Sequence, residues 1–108
     1  MTTALLTDST ACLASRWADD HGVSVVPLHV IVDGRNLVEG RDISAPEVGA
    51  ALRGRQRVTT SRPSPQALLT AYEGLAARGA DEIVSVHLSG ELSGTVAGAQ
   101  LAAADAPV

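Results

Sequence analysis

Hydroxyls, glycines and a few charged groups gather at three places in this sequence. They are Thr7-Asp8-Ser9-Thr10, Thr59-Thr60-Ser61-Arg62-Pro63-Ser64, and Ser89-Gly90-Glu91-Leu92-Ser93-Gly94-Thr95. The third runs straight into an alanine-rich segment of helical composition. The first N–H groups of a helix lack intrahelical partners and carry a partial positive charge. Glycines let a ligand approach the backbone, and serine and threonine add neutral donors. Such a mouth suits an anion, a carboxylate or a phosphate, without a lysine.

Holding is better supported than reacting. The esterase elbow is Gly-x-Ser-x-Gly with serine at its tip, whereas Gly90-Glu91-Leu92-Ser93-Gly94 has different spacing. A nucleophile also needs a base. His87 lies inside a strand, pointing wherever the pleat sends it, and His21 and His29 show no pairing. Asp8 is the one good acid or base candidate near these loops. No His/Cys/Asp group has metal-ligand spacing, so no metal and no cofactor are expected. Ser64 reads as a helix cap, and Ser93 as more than a cap. Arg53, Arg55, Arg57 and Arg62 form a local basic stretch that reads as a solvated loop or as a dock for acidic or phosphate groups.

The elements that must position these loops follow from pattern. Ala4–Thr7 is a short apolar strand, expected to be buried on both faces, ending at Asp8-Ser9. Apolar spacing at Leu13, Trp17 and Ala18 predicts a helix over 10–21, closed by Gly22. Val23–Val32 is a β-branched strand that bends or lies on an edge at Pro27. Asp33-Gly34 predicts a hairpin turn into a return strand at 36–39. Ser44-x-x-Glu47 is a capping box that starts a helix over 45–53. Ser64-Pro65 starts the next helix, with Leu68, Leu69, Tyr72, Leu75 and Ala76 as its apolar stripe. Asp81–Leu88 alternates as a strand, and 94–104 is a helix of small residues able to pack close to a sheet.

Strands alternating with helices predict an α/β fold: a three-layer, mostly parallel sheet with helices on both faces, forming a single domain over residues 1–108. Ligands of such sheets sit beyond the carboxyl ends of the strands, where the three loops should converge. The chain is long enough for one modest core. Net charge is −4, and the aromatics are Trp17 and Tyr72 only. Neither a phosphate-neutralising field nor a base-stacking platform results, so nucleic acid is not an expected partner. Cys12 is the lone cysteine and reads as a buried small apolar residue. No signal peptide or membrane span is visible, and a cytoplasmic location is expected.

Thr7-Asp8-Ser9-Thr10, Val26-Pro27-Leu28, Thr60-Ser61-x-Pro63-Ser64-Pro65 and Leu92-Ser93-Gly94-Thr95 occur in the order and spacing of the DegV family, and the chain resembles it throughout. The resemblance implies the N-terminal lobe (EDD domain) of a bacterial fatty-acid-binding protein that is not itself an enzyme. It implies a long-chain fatty acid held by its carboxylate and presented to a fatty-acid kinase for phospholipid synthesis. Carried over, the carboxylate contacts are Thr60 and Ser93, with Ser89, Ser61 and Gly94 beside them and Asp8, Ser9 and Thr95 behind. Two departures stand out. The family's second serine in the last loop is Gly90 here, followed by Glu91, which is expected to face solvent. The family's second domain is absent from these 108 residues, as in a piece of a longer protein or a naturally shortened one. Binding of the acid by this length alone is therefore expected to be weak, and an open face makes a homodimer plausible. The rival reading is an α/β enzyme domain that uses the Ser89–Thr95 loop to bind a phosphorylated metabolite.

Overall fold

The structure, a computed structural model, describes residues 2–108. In chain order its elements are β1 (Thr3–Asp8), a short 3-10 turn (Ser9–Ala11), α1 (Ser15–Asp20), β2 (Val23–Val26), β3 (His29–Val32), β4 (Arg35–Val38), α2 (Ala45–Arg53), β5 (Val58–Ser61), α3 (Pro65–Ala77), β6 (Glu82–Val86) and α4 (Thr95–Asp105). They divide into two compact units. The first runs up to Val26 and resumes from Pro63 to Val108, and the second is Pro27–Arg62.

The first unit is a parallel sheet in the order β2-β1-β6. Leu5 pairs with Val23 on one side and with Val84 on the other. The chain steps from β1 through α1 to β2, then returns past β1 through α3 to β6. Parallel crossovers are right-handed, so this reversal puts α1 on one face and α3 on the other. The α/β architecture with helices on both faces is therefore present. The α3–α4 face holds the core, built from Leu6, Val26, Leu68, Tyr72, Leu75, Ala99 and Ala102. The pleat sends Leu5 and Val84 to the opposite face, where they stay 44% and 45% exposed, so β1 is not buried on both faces as its apolar run suggested.

Local chemistry explains the helices. Proline at the first position of α3 loses no needed bond, and the Ser64 hydroxyl accepts from the Ala67 N–H at 3.1 Å. The small side of α4 lets it lie close to α3. A Cβ placed on Gly98 would sit 3.6 Å from Pro65 and 3.9 Å from Leu68.

The second unit is an antiparallel sheet in the order β4-β3-β5, with Val30, Val32, Ile43 and Ala51 at its core. Asp33 and Gly34 take φ of 48° and 83°, the pair of positive angles that a tight hairpin needs. The Asp33 carboxylate accepts from the Arg57 N–H at 2.9 Å and the Gln56 side chain at 3.0 Å, fastening the turn to β5. The capping box of α2 is formed in both directions between Ser44 and Glu47.

Three expectations change. Val23–Val32 is two strands rather than one bent strand: Pro27 cannot donate to a ladder, and the chain passes from a parallel to an antiparallel sheet there. Residues 10–21 are not one helix. Cys12 takes a left-handed φ of 55° and is exposed, so the helical stretch shrinks to Ser15–Asp20. Thr59–Ser61 is not a loop. With Val58 it forms β5, paired with β3 from Val32↔Val58 to His29↔Ser61, because β-branched residues suit a pleated edge.

Candidate functional site

In the first unit the chain reverses direction across the sheet at β1, so β1 and β6 frame a topological switch point. Their carboxyl ends carry Asp8-Ser9-Thr10 and the segment from His87 to Thr95. Open α/β sheets bind ligands at this position.

The mouth of α4 is ordered by its own hydroxyls. The N–H groups of Leu92 and Ser93 both donate to the Ser89 carbonyl, at 2.9 and 3.1 Å. Ser89 Oγ accepts from the Glu91 N–H at 3.2 Å. Ser93 Oγ accepts from the Thr95 N–H at 3.2 Å and lies 2.9 Å from Thr95 Oγ1. Gly94 occupies the cap position and offers no side-chain hydrogen bond. Thr95 is buried, Glu91 is exposed, and Leu92 at the tip of the loop is 79% exposed. The outward placing of Glu91 agrees with the sequence reading.

Behind this mouth lies a polar chain that sequence reasoning did not assemble. His87 Nδ1 is 2.5 Å from Asp8 Oδ2, and both side chains are 1% exposed. His87 Nε2 is 2.6 Å from Ser85 Oγ, and the Tyr72 hydroxyl donates to Ser85 Oγ at 2.9 Å. One proton arrangement satisfies every group: Tyr72 donates to Ser85, Ser85 to His87, and His87 to Asp8. The other Asp8 oxygen accepts from the Thr10 N–H at 2.9 Å and from the Thr10 hydroxyl. Burial alone pushes the Asp8 carboxyl upward. The Thr10 hydroxyl and His87 outweigh it, and its pKa lies below the ordinary 3.8.

The order Asp8, His87, Ser85 is that of a hydrolase triad, but its setting differs. Ser85 lies mid-strand on the face that α3 covers, and its oxygen already receives the Tyr72 proton. His87, whose direction the sequence left to the pleat, has two partners, and its serine is Ser85 rather than Ser93. The sequence did carry a signal. Ser85 and His87 are the polar pair at alternate positions of an otherwise apolar strand, and Asp8 ends the neighbouring one, with Thr7 in register with Val86.

Thr60 and Ser61 stand exposed on β5 of the second unit, Thr60 opposite Val30. Arg53, Arg55, Arg57 and Arg62 are exposed in that same unit. His29 pairs with Asn36 at 2.7 Å, and His21 stacks on Trp17 with ring centres 4.1 Å apart. Among the described residues no cluster of histidine, cysteine and carboxylate could hold a metal ion, and no helix is long and apolar enough to cross a membrane.

The fold of the first unit is a doubly wound α/β lobe with hydroxyls at its switch point. A family model described as an uncharacterised protein of the DegV family matches residues 2–107, and the chain belongs to that family. A DegV domain-containing protein of Streptomyces coelicolor is 50% identical over 105 residues, covering 97% of this chain and 37% of the relative. One from Deinococcus radiodurans is 41% identical, covering 95% and 37%. The chain thus spans little more than a third of the relatives it matches. Among solved structures, a Thermus thermophilus DegV family protein described for its fatty-acid binding superposes with a TM-score of 0.86 at 39% identity, over 99% of this chain and 38% of its own. DegV of Bacillus subtilis, described as a fatty acid binding protein, gives 0.89 at 28% identity, over 98% and 38%.

Proposed function

We propose that these 108 residues are the carboxylate-holding lobe of a fatty-acid carrier and work as one α/β domain. The observation that carries the reading is the mouth of α4, with its hydroxyls and glycines at the switch point. The description of the Thermus and Bacillus relatives as fatty-acid-binding supports the choice of ligand. In this reading Ser93 is the principal donor on the loop. A Thr95 hydroxyl that donates to Ser93 Oγ leaves the Ser93 proton for an anion. Ser89 and Gly94 line the loop, and Asp8, Ser9 and Thr95 hold the site from behind.

The carrier does not transform the acid. It presents the carboxyl group to a fatty-acid kinase, in the cytoplasm of a bacterium, for phospholipid synthesis. The rival enzyme reading needs a free acid or base near the loop. Asp8 is a poor choice, because both its oxygens are engaged with Thr10 and His87. An acyl tail gains ~0.8 kcal/mol per buried CH₂, and the open face of one lobe shelters only part of it. Leu5, Val25, Val84 and Val86 leave that face apolar, so two copies pair through it at high concentration. Affinity for a long-chain acid is weak in the isolated 108 residues, and native mass spectrometry should find no stoichiometric lipid on them.

The test is calorimetric titration with octanoate, which stays soluble as monomer. Ser93→Ala should weaken binding about tenfold, the worth of one hydrogen bond to a charged group. Equal affinity in both proteins would refute the assignment.

A further inference from the structure

The Asp8–His87–Ser85–Tyr72 chain has no direct part in holding an anion, yet it joins β1, β6 and α3. Asp8 ends β1 and fixes the Thr10 turn. Ser85 and His87 belong to β6 and its exit, and Tyr72 anchors them to α3. Ser89, whose carbonyl and hydroxyl shape the loop, follows His87 by two residues. Three features set this chain apart from ordinary core packing. It is buried yet polar, one proton arrangement lets its donors all run toward Asp8, and it spans the two strands of the switch point. Ordinary packing would place an apolar residue at position 87, because a buried polar group gains nothing over a hydrocarbon of its shape unless its direction matters.

We propose that His87 is a positioning residue for the carboxylate loop. Its bond to Asp8 locks the carboxyl ends of β1 and β6 together and sets where the Ser89–Thr95 loop begins, so that its donors converge on one point. The inference rests on the fatty-acid reading above. A ligand that tightens the loop should be felt at His87, although His87 does not touch it.

The experiment follows the His87 Nδ1 proton by NMR in the full 108-residue chain during octanoate titration, with octanol as the matched ligand lacking a carboxylate. His87→Leu removes the donor. His87→Asn keeps an N–H where Nδ1 stood. The wild-type imidazole proton should resonate far downfield of the amides and shift with octanoate but not with octanol. His87→Leu should bind octanoate about tenfold more weakly, while His87→Asn stays within about threefold of wild type. If His87→Leu fails to fold, the wild-type resonance and His87→Asn still decide. A resonance unmoved by saturating octanoate, or full affinity in His87→Leu, would overturn the positioning role and leave the fatty-acid reading standing. Absence of octanoate binding in the wild type would overturn both.

Discussion

Replacing Asp8 by asparagine removes one charge and reverses a whole chain of hydrogen bonds. The carboxylate accepts from the Thr10 N–H, the Thr10 hydroxyl and His87 Nδ1. Asparagine has one accepting oxygen. If that oxygen stays with Thr10, its NH₂ faces His87 Nδ1, which must then accept. The His87 proton moves to Nε2 and points at Ser85 Oγ, which already receives the Tyr72 proton. The Ser85 hydroxyl proton is then without its partner. Two charge-assisted bonds are weakened, each worth about 1.5–3 kcal/mol, and a total near 3 kcal/mol follows for a carboxylate shielded from water. For a domain of this size each kcal/mol moves the melting temperature by about 4–8 °C, so the midpoint should fall by roughly 12–24 °C.

The pH dependence is a second check. A carboxyl whose folded pKa is depressed stabilises fully above its unfolded value, and that stability is lost as pH falls through the folded one. For Asp8 the folded value lies below 3.8. The gap between wild type and Asp8→Asn should therefore be constant from neutral pH to about pH 5 and close only in the acid range beneath 3.8. Circular dichroism melts across that range provide the measurement. A gap under about 1 kcal/mol at neutral pH, where surface substitutions usually fall, or one that closes near neutrality, would refute the reasoning.

Other outcomes follow from packing and caps. Leu68→Ala should cost about 2–5 kcal/mol in urea unfolding, since the side chain is 0% exposed between α3, α4 and the sheet. Gly98→Ala should stabilise by about 0.5–1 kcal/mol, because its new Cβ meets Pro65 and Leu68 at ordinary contact distance. Gly98→Leu should lower the melting point through overpacking. Ser44→Ala should cost about 1 kcal/mol by loss of the α2 capping box, read in the same melts.

Much of the architecture is legible in local chemistry. Ser44, Glu47, Ser64 and Pro65 mark helix starts that the structure reproduces, because caps act within one turn. Asp33-Gly34 marks the hairpin for the same reason. What escapes is non-local. Nothing within Val23–Val32 says that its two halves join different sheets, since pairing partners lie far along the chain. Val58–Ser61 has hydroxyls typical of a turn and becomes a strand because β3 offers it an edge. The loops at Thr7–Thr10 and Ser89–Thr95 are readable as a site from residue type and strand ends. The Asp8–His87 bond is not, because 79 residues separate its partners; only the Ser85/His87 alternation hints at it.

The central proposal is that the mouth of α4 holds a fatty-acid carboxylate through Ser93. The most direct measurement maps backbone amide shifts of the ¹⁵N-labelled chain during titration with octanoate and with octanol. Shifts concentrated at Ser89–Val96, produced by octanoate alone and removed by Ser93→Ala, are the predicted result. Shifts that octanol reproduces, or that fall away from this segment, would contradict it.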